Sequence, residues 1–129
     1  IYRCDWSSDV CSSDLAFAIE ASKYILIHPA QFTLPVRKWQ RETAEFIYQL
    51  NKLDGIEVLP TASTFFLVRL KTGVAADLKN WLLSTYGILI RDASNFRGLD
   101  ETYFRISTQT ADENRQFTEA LAEWLSLQK

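Results

Sequence analysis

The sequence predicts an α+β fold, in which a small antiparallel or mixed sheet carries helices packed on one face. Strand-like segments come in pairs between helical segments, whereas a parallel α/β sheet would alternate single strands with helices. The chain has 129 residues, which suffices for one domain, and 47% of them are hydrophobic. This composition excludes disorder as the main state, and the lack of any apolar run of about 18 residues excludes a membrane span.

The first two helices are predicted from apolar spacing and from prolines. Residues 16–28 carry alanines and isoleucines at helical spacing until Pro29 ends the helix. Pro35 suits the first turn of a second helix, and Gly55 suits the left-handed position that follows a helix end. The apolar stripe of this second helix comprises Trp39, Thr43, Phe46, Ile47, Leu50 and Leu53.

Two strands and a third helix follow. Residues 56–59 form a short strand before Pro60, and residues 65–70 (FFLVRL) form a stronger one because aromatic and branched residues favour strands. Residues 74–86 are predicted to be helical, and Gly87 closes this helix. Its buried stripe comprises Leu78, Trp81, Leu82 and Thr85.

The last third of the chain predicts two more strands and a final helix. The strands are residues 88–91 and 103–109, and residues 92–100 between them are rich in the loop formers Ser, Asn, Gly and Asp. Thr110 and Glu113 have the spacing of a capping box, which starts the helix. The buried stripe of this helix comprises Phe117, Leu121, Trp124 and Leu125.

The first fifteen residues, IYRCDWSSDVCSSDL, do not resemble the rest of the chain. They show neither helical nor strand periodicity, and they contain both cysteines, Cys4 and Cys11. Residues 4–15 can be back-translated into a string that resembles a common short-read sequencing adapter. We therefore expect residues 1–15 to be a foreign or disordered leader, joined to a truncated reading frame that supplies residues 16–129. A native tail rich in Ser and Asp is the alternative.

Charge and residue counts exclude several kinds of site. The net charge is −2, and it becomes zero without residues 1–15, so no nucleic-acid partner is expected. His28 is the only histidine and no cysteine follows residue 15, so a zinc site would lack ligands. Because His28 stands at a helix end before a proline, it is better interpreted as a cap than as a catalyst.

The candidate site lies in residues 88–108, where Arg91 ends one predicted strand and Arg105 lies within the next. Strand alternation places Arg105 on the face opposite to Phe104 and Ile106, so the simplest interpretation is a solvent-exposed arginine on a half-buried strand. The functional interpretation is a pair of guanidinium groups at one sheet edge. Such a pair would suit a substrate that carries an anion at each end, since arginine binds carboxylate and phosphate through two parallel donors.

The same segment, GILIRDASNFRGLDETYFRIS, resembles the small C-terminal domain of class I/II, or fold-type I, pyridoxal-phosphate aminotransferases. The shared pattern is a G-I-x-x-R strand (87–91), an aromatic-R-I strand (104–106) and a helix that opens with E-N (113–114). Within this family it is most similar to the group of histidinol-phosphate aminotransferases and threonine-phosphate decarboxylases. The loop sequence RDASNFRGL is more similar to the decarboxylase branch.

This resemblance implies specific roles. Arg105 would bind the substrate α-carboxylate, Arg91 would contact the substrate phosphate, and Asn95 would lie in the connecting loop near the site. A simple turn asparagine is an equally open interpretation of Asn95. The cofactor implied is pyridoxal 5'-phosphate, held by a lysine of a preceding large domain, so the C-terminal S-x-x-K (126–129) is not taken as that lysine motif. No catalytic residue, cofactor ligand or metal ligand is expected in this fragment, and the fragment alone is expected to be inactive.

The resemblance therefore implies a parent enzyme that acts on a small phosphorylated amino acid, with no nucleic acid or membrane partner. It favours threonine-phosphate decarboxylase of cobalamin biosynthesis, with histidinol-phosphate aminotransferase or another class I/II aminotransferase as the alternative. The parent would be a cytoplasmic homodimer. Two interpretations of other classes stay open, namely a freestanding α+β module that binds an amino acid or another anion, and a structural or dimerisation domain without a site. An RNA-binding sheet is disfavoured by the neutral charge.

Overall fold

The computed structural model describes residues 11–128, with side chains from residue 15 onward. The described chain falls into two compact units, divided between Pro35 and Val36. None of its helices has both the length and the apolar content that a membrane span requires.

The first unit contains helix α1, Cys11–Ile27, and a short 3-10 helix, Pro29–Gln31. Helix α1 begins at Cys11, inside residues 1–15, although that segment shows no helical periodicity, because a helix nucleated by the following residues extends backwards at little cost. Residues 1–10 lie outside the described residues. At the other end, the backbone N–H of His28 donates to the Tyr24 carbonyl at 3.0 Å, and its Nδ1 lies 3.0 Å from the same oxygen. This geometry agrees with the capping interpretation of His28.

The second unit contains a four-stranded antiparallel sheet in the order β1-β2-β4-β3. The strands are β1 Ile56–Val58, β2 Phe65–Leu70, β3 Arg91–Asp92 and β4 Tyr103–Ser107, and the helices are α2 Val36–Leu50, α3 Ala75–Tyr86 and α4 Ala111–Leu127. The strands show the predicted alternation, since Phe66, Val68, Phe104 and Ile106 are buried between outward residues. The predicted α+β class is confirmed, with a sheet that is purely antiparallel.

One hydrophobic core joins the inner face of the sheet to the three helices of this unit. The large buried helical residues of this core are Phe46, Leu50, Leu78, Leu82, Phe117, Leu121, Trp124 and Leu125. Aromatic contacts fix part of this core, because the ring centroid of Phe46 lies 5.7 Å from Phe66 and 5.9 Å from Phe117. The predicted burial is wrong for two residues of the helical stripes, since Trp39 and Thr85 are exposed.

The predicted strand at residues 88–91 is also wrong in its limits, because β3 begins at Arg91 instead of ending there. Gly87 closes α3 as predicted, with a left-handed φ of 68°, and Ile88 then donates its N–H to the carbonyl of Leu82 at 3.2 Å. The residues after Gly87 therefore complete the helix end before the chain joins the sheet. By contrast, Gly55 has a positive φ of 102° but lies beyond a turn that follows the helix end at Leu50.

Candidate functional site

Arg91 and Arg105 are register partners in the antiparallel pairing of β3 with β4. Directly opposite residues in an antiparallel pair project from the same face, and both arginines are exposed. Since β3 is the last strand in the sheet order, the pair lies at a sheet edge, as the functional interpretation required. The outward orientation of Arg105 is also confirmed. Like charges in this arrangement destabilise a sheet, so packing alone gives no reason for the pair.

Arg69 provides a comparison, because it lies on the same face and forms an ion pair with a neighbouring strand. It lies two residues from Leu67, which pairs with Arg105, so Arg69 and Arg105 share a face. Arg69 is the register partner of Glu57, and its Nη1 lies 3.4 Å from the Glu57 Oε2. Within residues 15–128, neither Arg91 nor Arg105 forms a salt bridge of this kind. Both guanidinium groups are therefore available to an external anion.

Both arginines line a cavity of about 370 Å³. Its walls combine apolar side chains, including Leu89, Ile90 and Phe117, with polar groups from the segment after β4. A second cavity, of about 320 Å³, also includes Arg105, together with Phe96 and residues around Pro60. Apolar walls lower the local dielectric constant and so strengthen charge-assisted hydrogen bonds to a bound anion, although both arginines are still exposed to solvent here.

Phe65 is the second residue that lines both of these cavities. Its side chain is 52% exposed, although Phe66 beside it is buried. The Cζ atom of Arg105 lies over the Phe65 ring, 5.4 Å from its centroid, which is within the range of a cation–π interaction. Sequence reasoning did not single out this residue. The alternation of FFLVRL contains the signal, because burial of Phe66 and Val68 turns Phe65 outward.

The start of α4 fixes one wall of the larger cavity. The N–H of Thr110 donates to the Glu113 carboxylate at 3.1 Å, and the Glu113 N–H donates to the Thr110 hydroxyl oxygen at 3.4 Å, which confirms the predicted capping box. Hydrogen bonds from the Thr110 side chain and backbone hold the pKa of Glu113 below its ordinary value. The buried Asn114 amide bonds both backbone groups of Gln109, at 2.9 and 3.1 Å. This junction is therefore held rigidly beside the arginines.

The loop after β3 begins with a local turn. The Oδ1 atom of Asp92 accepts the Ser94 N–H at 2.8 Å, and hydrogen bonds from the Ser94 backbone and side chain lower the pKa of Asp92. Asn95 is exposed in this turn and lines neither cavity of Arg105, so its role stays a prediction. The structure thus brings together Arg91 and Arg105, and it adds Phe65 beside them. Phe96, which the family resemblance places with Asn95 in the connecting loop, lines the smaller cavity.

The family model for aminotransferases of class I and II matches residues 5–121. The chain belongs to this family. Members of the family generally use pyridoxal phosphate, and the match confirms the resemblance seen in the sequence. It begins inside residues 1–15, so the foreign origin of that segment stays a prediction.

The chain can also be compared with individual members of the family. The chain is 37% identical over 83 residues to a histidinol-phosphate aminotransferase of Methanococcus maripaludis, which covers 64% of this chain and 22% of the relative. The solved L-threonine-O-3-phosphate decarboxylase of Porphyromonas gingivalis is 63% identical with a TM-score of 0.80, over 84% of this chain and 34% of that one. The solved histidinol-phosphate aminotransferase of Clostridium acetobutylicum is 33% identical with a TM-score of 0.61, and the match covers 64% of this chain and 25% of that one. The chain thus spans about a fifth of the curated relative, about a third of the first solved chain and a quarter of the second.

The described residues do not fit a covalent site for pyridoxal phosphate. Such a site needs a lysine amine beside the substrate pocket, and none of the described lysines lines either cavity of Arg105. Residues 15–128 also contain no cluster of His, Cys, Asp and Glu that could hold a metal ion. What the described residues show at this place is a pair of exposed arginines beside an apolar wall.

Proposed function

We propose that the chain supplies the substrate-binding domain of a pyridoxal-phosphate-dependent enzyme that acts on a phosphorylated amino acid. The observation that carries the proposal is the pairing of Arg91 with Arg105 across β3 and β4, with no salt-bridge partner for either within residues 15–128. Arg105 binds the α-carboxylate and Arg91 binds the phosphate. Asn95 is retained as a candidate contact in the adjoining loop.

The chemistry of arginine supports this division of roles. A guanidinium group offers two parallel N–H donors that match the two oxygens of a carboxylate or of a phosphate. Two such groups on neighbouring strands hold a short molecule at both ends and so fix its orientation. The side chains of Leu89 and Ile90, which line the same cavity, provide an apolar surface for the carbon chain between the two anions.

O-phospho-L-threonine is the substrate that we favour, and decarboxylation is the reaction. The 63% identity to the decarboxylase of Porphyromonas gingivalis supports this choice over the 33% identity to a solved histidinol-phosphate aminotransferase. The cofactor supplies the electron sink when bound, while Arg91 and Arg105 bind and orient the substrate. The parent enzyme in this proposal is a cytoplasmic homodimer that serves cobalamin biosynthesis. Residues 16–129 belong to that enzyme, whereas residues 1–15 are a foreign leader that does not.

Histidinol-phosphate aminotransferase is the second candidate, favoured by the 37% identity to the enzyme of Methanococcus maripaludis. The two candidates use the arginines differently. Histidinol phosphate has a phosphate but no carboxylate, so Arg105 would act only on the amino-acid partner of the transamination. O-phosphothreonine needs both arginines at once.

The test is to obtain the natural reading frame that contains residues 16–128 and to purify its whole product with pyridoxal phosphate. Carbon dioxide release from O-phospho-L-threonine would support the decarboxylase. Amino transfer from histidinol phosphate to 2-oxoglutarate would support the second candidate and contradict the first. A product that does neither, and whose frame encodes no large domain with a lysine before this one, would contradict both and favour a freestanding binding module.

A further inference from the structure

We infer that Phe65 is a positioning residue that holds the Arg105 guanidinium ready for the substrate carboxylate. The inference rests on the proposed role of Arg105. It concerns the site in its unliganded form, in which Arg105 must be kept in place before any anion arrives.

Arg105 needs such support because its register partner, Arg91, carries the same charge. Arg91 lies directly opposite across the strand pair, and residues in that position have Cβ atoms only about 5 Å apart. An arginine side chain also loses rotamer freedom when it is fixed. Without a second interaction, repulsion and side-chain entropy would both displace the guanidinium from the position that binds the substrate.

The Phe65 ring provides that second interaction without occupying the binding groups. The Arg105 Cζ atom lies over the ring at 5.4 Å from the centroid, and attraction to a ring face uses the positive charge instead of individual N–H donors. A carboxylate partner would hold the guanidinium equally well, but it would occupy the donors, as Glu57 does with Arg69. An aromatic partner therefore suits an arginine that must be placed and still be free to bind.

The exposure of Phe65 agrees with this role and not with a packing role. Phe66 and Phe46 contact each other in the core, whereas Phe65 is 52% exposed on the outer face of β2. It is the side chain that connects the two cavities beside Arg105, since it lines both. A leucine at this position would keep the strand and most of the apolar area, but it would remove the ring.

The first experiment observes Arg105 directly in the 129-residue chain labelled with ¹⁵N-arginine. The side-chain signals of Arg105 should be shifted by the ring current of Phe65, should return towards ordinary arginine values in Phe65→Leu, and should stay shifted in Phe65→Tyr. Tyr48→Leu is the matched control, because Lys52 Nζ lies 4.3 Å from the Tyr48 ring centroid on the exposed side of α2. The control should leave Arg105 unchanged. Arg105 signals that are the same in Phe65→Leu and the wild type would overturn the inference.

The second experiment measures substrate use by the whole enzyme. Phe65→Leu should raise the KM for O-phospho-L-threonine about 2- to 30-fold, the range expected for loss of one cation–π contact, and Phe65→Tyr should restore it. Inhibition by phosphoethanolamine, which has a phosphate but no carboxylate, should stay within about twofold, because only Arg105 is displaced. A general structural defect would weaken both ligands and would not be rescued by tyrosine.

Arg105→Lys separates failure of this inference from failure of the proposed function. If Arg105→Lys impairs the use of O-phosphothreonine but Phe65→Leu does not, Arg105 binds the substrate and Phe65 does not position it. If neither variant has an effect, the proposed role of Arg105 is wrong as well. Equal loss of phosphoethanolamine and O-phosphothreonine binding in Phe65→Leu would also overturn the inference.

Discussion

Arg91 and Arg105 lie directly opposite each other on neighbouring antiparallel strands, at the edge of the sheet and on its exposed face. A sheet that was selected only for stability would place opposite charges there, as it does with Glu57 and Arg69. In the proposed site, the repulsion between the two guanidinium groups would be relieved when the carboxylate and the phosphate of the substrate bind to them. This arrangement is the reason that we propose one site for two arginines that are surrounded by apolar residues in the sequence.

The Arg105→Lys variant of the whole enzyme should lose much of its activity although the charge is kept. Lysine offers a point charge instead of two parallel donors, and the loss of a charge-assisted pair to bound substrate costs about 2 to 5 kcal/mol. We therefore expect kcat/KM for O-phospho-L-threonine to fall by about 30- to several thousand-fold.

Arg69→Lys is the matched control for that variant, since Arg69 lies on the same face but is paired with Glu57. An exposed ion pair contributes at most about 1 kcal/mol, so this variant should retain nearly full activity. Near wild-type kcat/KM in Arg105→Lys would show that Arg105 is only a solvent-exposed strand residue. Equal losses in both variants would mean that the charge of the whole face matters, and not a specific pair.

Gly73→Ala should destabilise the fold more than Gly98→Ala. The two glycines have nearly the same φ, 87° and 86°, so the strain of a side chain in this conformation should cost about 1 to 2 kcal/mol at either position. A Cβ atom at Gly73 would lie 2.7 Å from Cη2 of the buried Trp124, whereas nothing lies within 4 Å at Gly98. Overpacking should add about 1 to 3 kcal/mol at Gly73. Chemical denaturation of the two variants measures the difference, and equal midpoints would contradict the packing at Trp124.

Glu113→Gln should change how the stability of the chain depends on pH. The folded-state pKa of Glu113 lies below its ordinary value of 4.5, first because of the hydrogen bond from the Thr110 side chain. Its contribution to stability is therefore fully present above pH 4.5 and is lost as the pH falls through the folded-state pKa. The difference in unfolding free energy between wild type and Glu113→Gln should be constant near neutral pH and should shift below pH 4.5. A difference that is the same at all pH values would contradict the ionised capping box.

The 129-residue chain alone should not turn over O-phosphothreonine, even with added pyridoxal phosphate. The described residues provide the arginine pair but no lysine beside it, and binding of substrate cannot replace the cofactor chemistry. The measurement is carbon dioxide release by the purified chain against a buffer blank with cofactor. Turnover above the blank would show that the chain contains a catalytic site that we have not identified.

Local signals predicted most of the fold. The alternation of FFLVRL, the glycine after α3 and the Thr110–Glu113 box each determine their structure through neighbours in sequence, and all three are confirmed. Trp39 and the limits of β3 could not be predicted in the same way. Burial of Trp39 depends on what packs beside α2, and the start of β3 depends on how residues after Gly87 complete the helix end.

Only part of the candidate site could be predicted, because the sequence shows local patterns but not the pairing of distant segments. Alternation alone turned Arg105 outward, but it did not show that Arg91 is its register partner, because register arises from pairing between segments that are distant in sequence. The contact between Phe65 and Arg105 likewise joins two strands, and only the folded sheet shows it. Asn95 was proposed from family resemblance, and it lies in an exposed turn whose role stays a prediction.

The central claim is that Arg91 binds the phosphate and Arg105 binds the carboxylate of the same substrate. The most direct test is the kcat/KM of Arg91→Ala in the whole enzyme, measured with O-phospho-L-threonine and with unphosphorylated L-threonine. Loss of a phosphate partner should cost about 2 to 5 kcal/mol, so the preference for the phosphorylated substrate should fall about 30-fold or more while the use of threonine changes little. Equal loss with both substrates would contradict the assignment of Arg91 and with it the paired-arginine account of the site.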